Sequence, residues 1–437
     1  MQLTVDQWNQ VGANCSERAM FQGAVANFRK ALNLDPERAD IRANLVDNLR
    51  RLWEFEEAEA ELTRTLKHGM FDKAQFIAGC LYFDMGQSEK ALEYLTPKIC
   101  TTPYGRFVRA QALLHAGRYK EGFAWNEARL EMTPWGNPPM LIWKGEPLGD
   151  KVVAIHHEQG YGDSLAYARW INVLPAKNVV LGMPSALVQL MAASFDRPVY
   201  DTNEPLPKVD YYLPLMSLPN RLSISEMTIQ KPYISPQGRF GCPVAPDTRL
   251  KVGLVWRSKA GHQNTDPAVG IHGLQKSIPL EQLLPLSSIP GVQLYSLQTG
   301  GDEDIKRLGA DYLVTDLASK TSTFHDLALF MKEMDVIVSV DTAPLHLAGA
   351  MGLNTIGLLS CRGGWPYPGL GARTEWYQSM QLIRQPNPHD WTSVVNGTAR
   401  ILRGILGGLS ATSPKTDLPA STASTPTPRQ SISAAPV

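Results

Sequence analysis

The chain has 437 residues, enough for two to four domains that each bury a core of their own. Its 42 Lys and Arg balance 42 Asp and Glu, so bulk attraction to nucleic acid or to an anionic membrane is not indicated. The opening residues MQLTVDQWNQ show no basic stretch followed by an apolar run, and no apolar stretch is long enough to span a bilayer. A soluble, cytoplasmic protein with no membrane span is therefore expected.

The first third carries an internal repeat. Trp8, Gly12, Ala24, Phe28, Ala31 and Pro36 follow the spacing of a tetratricopeptide unit, with small residues where two helices cross and a proline to close. The frame returns with Leu45 and Ala58, with Gly79, Tyr82, Gly86 and Ala91, and with Ala110, Gly117, Gly122 and Pro134. Four helical pairs with a period of roughly 34 residues are expected. Such an array exposes a concave groove that suits a peptide or partner, although it can equally serve as a platform packed on its own downstream domain. A homo-oligomer is also compatible with it.

Beyond the breaker-rich residues 135–139 the pattern changes to short apolar runs alternating with helical segments. Strands are predicted over 152–155, 179–183, 209–215, 252–256, 292–297, 336–340 and 355–359. Helices are predicted over 164–173, 185–194, 280–287, 323–332, 344–351 and 390–406. This alternation predicts α/β architecture with parallel sheets, split into two halves by the Pro- and Gly-rich stretch 232–250. The domains expected are 1–134 for an α-solenoid of repeats, 135–245 and 246–410 for two Rossmann-like halves, and 411–437 for a Ser/Thr/Pro-rich disordered tail.

Three loops hold the chemistry. DVIVSVDTAPLHLAGAMG, residues 335–352, reads as a buried strand running into a helix whose free N–H groups and dipole suit phosphate, with Asp341, Thr342 and Ala343 at the junction. A plain helix cap by Asp341 and Thr342 is the alternative. In HHEQGYGDSLAYARW, residues 156–170, Gly160 and Gly162 shape a tight loop and Asp163 sits at a helix start. Three polar residues at the strand's end, His156, His157 and Glu158, are costly unless they face a site. The third loop places Arg257, Ser258, Lys259 and His262 after the strand 252–256, with Lys276 and Ser277 before the next helix. Cations there suit a diphosphate. Gln298 and Thr299 would join the same carboxyl edge. The five cysteines Cys15, Cys80, Cys100, Cys242 and Cys361 are scattered without CxxC spacing, and neither structural zinc nor another metal site is expected.

The 341–359 segment DTAPLHLAGAMGLNTIGLL resembles the nucleotide-sugar segment of heptosyltransferase-like glycosyltransferases, and EQGYGDSLAYAR resembles the glycine–aspartate loop of their N-terminal half. With Ser296–Gln298, Trp376 and Tyr377, and the 384–391 run RQPNPHDW, the series is similar to bacterial tetratricopeptide-repeat proteins with a glycosyltransferase family 9-like domain. The resemblance implies a GT-B architecture and a hexosyl- or heptosyltransferase-like enzyme. Helical repeats before such a core also resemble the protein O-GlcNAc transferases in architecture. By the same resemblance Asp163 is the general base, and Lys276, or else Lys259 or Arg257, neutralises the departing diphosphate. Glu158, Gln159, Gly160, Gly162, Arg257, Lys259, Ser277, Gln298, Asp341, Thr342, Ala343 and His346 are the expected nucleotide-sugar and substrate contacts. No cofactor is expected beyond the nucleotide-diphosphate sugar as donor substrate. The expected partner is an acceptor protein or glycan held by the repeat groove. No DxD pair follows a strand in the donor half, which fits metal-independent transfer; inversion is expected because a positioned carboxylate would deprotonate the incoming hydroxyl with donor and acceptor held in line. The residues Ser360, Cys361, Arg362, Gly363 and Gly364 depart from the usual acidic and aromatic run. This departure leaves open a second reading, a non-catalytic repeat scaffold with a nucleotide-binding GT-B-like domain.

Overall fold

The computed structural model describes residues 3–69, 71–132, 141–227, 231–239, 249–258, 273–362, 364–367 and 371–412. The N-terminal part is eight helices: α1 (Val5–Glu17), α2 (Phe21–Leu34), α3 (Ala39–Arg51), α4 (Phe55–Leu66), α5 (Asp72–Asp84), α6 (Ser88–Tyr94), α7 (Pro103–His115) and α8 (Tyr119–Asn126). They pack as successive antiparallel pairs, as the repeat spacing predicts. The small residues sit where the pairs cross. A Cβ on Gly12 would lie 2.6 Å from Phe28, and one on Gly122 would lie 2.7 Å from Leu114. Thr4 caps α1 through a reciprocal bond with Gln7, and α2 ends at Leu34, ahead of Pro36. Pro134, expected to stop the last helix, lies outside the described residues. There α8 passes at Asn126 into a short 3-10 turn, Glu127–Glu131.

Two parallel sheets follow. The first contains β1 (Leu141–Ile142), β2 (Val153–His156), β3 (Val179–Met183), β4 (Val199–Asp201) and β5 (Tyr211–Pro214), in the order β1-β5-β2-β3-β4. The second contains β6 (Leu250–Val255), β7 (Val292–Ser296), β8 (Val314–Asp316), β9 (Val336–Val340), β10 (Thr355–Leu359), β11 (Arg373–Thr374) and β12 (Tyr377–Arg384), in the order β11-β12-β10-β9-β6-β7-β8. Only the β11–β12 pair is antiparallel among the described strands. Chain direction around the second sheet reverses between β6 and β9, so a crevice opens at their carboxyl ends. The apolar runs 336–340 and 355–359 are buried along their whole length, as expected of strands covered on both faces.

Five strands depart from the sequence expectation. β1, β4, β8 and β11 are only two or three residues long. β12 mixes buried and partly exposed positions, with Gln378, Ser379 and Gln381 among the latter, and so lacks a continuous apolar run. Two helices are also reshaped. The predicted 164–173 helix begins earlier as α9 (Tyr161–Tyr167) and continues as a 3-10 turn over Ala168–Val173. The predicted 280–287 helix turns 3-10 at Leu284, just before Pro285, which cannot donate a helical bond.

One continuous core joins the parts. Phe123 of α8, Trp170 beyond α9, and Trp365 and Trp376 of the C-terminal half meet edge to face, with Trp365 and Trp376 4.2 Å apart. A second weld is ionic. Arg129, in the turn after α8, donates to both oxygens of Glu158 at 3.0 and 2.7 Å and to Ser217 at 2.8 Å. Glu158 also accepts the Met216 N–H at 2.7 Å. Both charged side chains are buried, and Arg129 also pairs with Glu127 at 3.0 Å, so removing Glu158 leaves the guanidinium only partly compensated. Glu158→Gln is expected to destabilise the fold by about 3 kcal/mol. Denaturant unfolding followed by tryptophan fluorescence checks this, and an unchanged midpoint would show that the pair carries no stability.

Candidate functional site

The site forms where the carboxyl ends of the two sheets face each other. After β9 the chain passes through Asp341 and Thr342 into the helix Ala343–Ala350. The Thr342 hydroxyl donates back to the Val340 carbonyl at 3.1 Å instead of capping this helix. The positive end of the helix therefore borders a cavity of about 760 Å³, walled by Gly160 and Gly162 on one side and by Arg257, Ser258, Gln298 and Thr342 on the other. Gln298 shapes its floor, because its side-chain oxygen accepts the backbone N–H groups of Trp256 at 3.1 Å and Arg257 at 2.8 Å. The Arg257 guanidinium is steered by Asp304 at 3.0 Å and by the Gly300 carbonyl at 2.7 Å.

A second cavity, of about 170 Å³, lies on the other side of the same junction and brings together Gln159, Asp163, Lys276, Asp341 and His346. Asp163 is half-buried at the start of α9, where one oxygen accepts the Gly160 N–H at 3.0 Å. Burial is the largest influence on its carboxyl and pushes the pKa up to about 6, reinforced by the charges of Glu158 and Asp341 and opposed by the Gly160 N–H and Lys276. Lys276 pairs with Asp341 at 2.7 Å. His346 shares a hydrogen bond with the Tyr377 hydroxyl at 2.9 Å and stacks on Tyr367. Burial holds its pKa down to about 4, so the ring is neutral near pH 7.

The expected residues thus divide between two cavities. Gly160, Gly162, Arg257, Gln298, Thr342 and Ala343 border the larger, and Gln159, Asp163, Lys276, Asp341 and His346 the smaller. Two do not face either. Glu158 is a correction to the sequence reading: its oxygens are taken by Arg129 and Met216, so it fastens the repeats to the core instead of contacting a ligand. Ser277 accepts the Ser258 N–H at 2.9 Å and donates to the Gly273 carbonyl at 2.8 Å, supporting the wall from behind. Lys259 lies outside the described residues. Not expected as site residues were Phe107 and Gln111, from repeat helix α7, and Trp365, which all line the smaller cavity.

This layout defines the class: a tetratricopeptide-type solenoid joined to a GT-B-like core of two Rossmann-like halves. Residues 293–362 match the family model described as Glycosyltransferase family 9 (heptosyltransferase). The chain is a repeat protein with a family 9-like segment. Protein FlbA of Caulobacter vibrioides is 25% identical over 344 residues, covering 68% of this chain and 54% of that protein. The chain thus spans about half the length of that curated relative. Among solved structures, E. coli ADP-heptose lps heptosyltransferase II matches 59% of this chain and 99% of its own, with 11% identity and a TM-score of 0.40. A Thermobaculum terrenum O-GlcNAc transferase variant matches 95% of both chains, with 12% identity and a TM-score of 0.33. Among the described residues, no helix is long and apolar enough to cross a membrane.

The N-terminal loop and the Ala343–Ala350 helix touch through Gly162, where an added Cβ would lie 3.0 Å from the His346 ring and 3.5 Å from the Ala343 backbone. Gly162→Val is expected to wedge the loop away from the helix and destabilise the fold by about 1–3 kcal/mol. Denaturant unfolding, with circular dichroism as a control for folding, measures this. An unchanged midpoint would mean that the contact is not tight.

Proposed function

We propose that the chain is a glycosyltransferase that moves a sugar from a nucleotide-diphosphate donor to a hydroxyl acceptor, without a metal and with inversion. The carrying observation is Asp163, raised to about 6 by burial, sharing one cavity with the Lys276–Asp341 pair. In this reading the donor nucleotide occupies the larger cavity, with its diphosphate toward the start of the Ala343–Ala350 helix. The acceptor hydroxyl lies beside Asp163. Its oxygen forms a bond to the anomeric carbon as the bond from that carbon to the diphosphate oxygen breaks. The electron pair leaves on the diphosphate, and the proton passes to the Asp163 carboxylate. Lys276, aimed by Asp341, offsets the growing negative charge. Attack opposite the leaving group inverts the anomeric centre. The donor is itself the substrate, and no further cofactor is required. The acceptor is a protein or glycan brought in by the repeats.

A base titrating near 6 is matched to neutral conditions, because it is mostly ionised there yet more basic than an ordinary carboxylate. Turnover should therefore be high at pH 7 and fall as pH drops through about 6, where Asp163 takes up its proton. Asp163→Asn is expected to cut transfer on the order of 100-fold or more while leaving donor binding intact. The initial experiment is a thermal-shift screen against nucleoside diphosphates and nucleotide sugars, since a ligand at about 100 times its Kd stabilises by about 2.7 kcal/mol. A shift with one donor, followed by transfer that Asp163→Asn abolishes, supports the reading. Full transfer by that variant removes Asp163 as the base, and no shift with any donor favours the scaffold reading.

A further inference from the structure

The repeats supply part of the site itself. A cavity of about 310 Å³ opens between repeat helices α5 and α7 and the segment after β10. It shares Phe107, Gln111, Lys276 and Asp341 with the cavity that holds Asp163. In the other direction it shares Arg50, Cys80 and Tyr104 with a third cavity, also about 310 Å³, along the concave face of α1, α3 and α5. A path thus runs from the repeat groove to the proposed base.

The charge along this path is uneven. Among the described residues around the middle cavity, Arg50, Lys276, Arg362 and Arg384 face two carboxylates, Asp84 and Asp341. Asp84, 2% exposed, is shared: it pairs with Arg50 and accepts from Arg362 at 2.7 Å. Asp47, just outside, is likewise shared, between Arg50 and Arg51, so counting Asp47 together with Arg51 leaves the cationic surplus unchanged. Arg384 is oriented by the carbonyls of Ser360, Arg362 and Tyr367, which aim its guanidinium without neutralising it. Nearby His115 feels the same field, as burial and then the Arg384 charge hold its pKa down to about 4. Farther along, the side-chain oxygen of Asn48 is buried without a hydrogen-bond partner on the wall of the groove cavity. An amide N–H would satisfy it. A cationic, aromatic-sided passage leading to an unpaired amide acceptor fits a polypeptide better than a phosphate or a neutral glycan.

We infer that the acceptor is an acidic polypeptide segment, threaded from the repeat groove to Asp163, with a carboxylate side chain close to the hydroxyl that receives the sugar. This rests on the transferase reading above for the chemistry, but not for the binding. The test uses the full chain and short fluorescent Ser/Thr peptides whose flanking positions are Asp, Ala or Lys, with binding read by anisotropy without donor. Asp-flanked peptides are expected to bind at least about tenfold more tightly than Ala-flanked ones, with an advantage that shrinks as salt is added. Arg362→Gln, which keeps an amide donor beside Asp84, should remove most of that advantage. Arg362→Glu should shift preference toward Lys-flanked peptides if it folds. The donor-induced thermal shift of both variants, measured separately, reports on the transferase reading alone. Equal binding of all three peptides, or binding confined to an anionic glycan, would overturn the inference. Acidic preference without any donor shift would keep the peptide site and sink the transferase.

Discussion

The arrangement depends on one buried cation. Arg169, just beyond α9 and 1% exposed, donates to the Trp376 carbonyl at 2.8 Å and to the Ala166 carbonyl at 3.1 Å, and its guanidinium lies 4.2 Å from the Trp376 ring. A charge this deep persists only where carbonyls and aromatic faces replace its water. Its Trp376 partner comes from the C-terminal half while its backbone and its Ala166 partner belong to the N-terminal half, so the two cannot part without exposing it. Tyr233 adds to the clasp by donating to the Leu165 carbonyl at 2.9 Å, while its own backbone N–H reaches the Ala350 carbonyl. The position of α9, and of Asp163 at its start, is fixed by this contact.

Holding α9 there sets the electrostatics of the junction. Asp163 and Asp341 share a cavity but differ in surroundings. Asp341 has a lysine at 2.7 Å, whereas Asp163 accepts the Gly160 backbone N–H and suffers the cost of burial. Two carboxylates in one cavity thus acquire different work, one steering a cation and one holding a raised pKa. The neutral, half-buried His346 between the tyrosines adds shape to this junction without adding charge.

Much of this was legible in the chain. The β-branched runs at 336–340 and 355–359 could be little else than doubly covered strands, and Gly12, Gly79 and Gly122 marked the helix crossings because a side chain there would strike Phe28, Leu95 and Leu114. The loops bearing Asp163 and Asp341 were likewise found from strand-to-helix switches. What escaped was tertiary. β12 is interrupted by Gln378, Ser379 and Gln381 and so shows no continuous apolar run. Glu158 looked like a ligand contact because its partner, Arg129, is contributed by the helical part of the chain. Phe107 and Gln111 sit on an ordinary repeat helix, and nothing in their local pattern says that this helix walls a cavity of the core.

That last point changes what the repeats are. A solenoid that merely recruits a partner needs no more than a tether to its catalytic core, and relative motion of domains is the usual expectation where interfaces are small. Here successive repeats contact the core by separate means. Arg51 accepts from Gln275 through its carbonyl, Asp84 binds Arg362, Tyr119 donates to Glu375 at 2.7 Å, and Arg129 binds Glu158. These contacts start from α3, α5, α8 and the turn after it, and reach both halves of the core. Each shortens the freedom of the next, so the array is held along its length rather than at one end. The repeats therefore act as a third wall of the site. In the proposed reaction, a segment held in their groove would reach Asp163 at a fixed distance and angle, which would convert part of the orientational cost into folding free energy already spent.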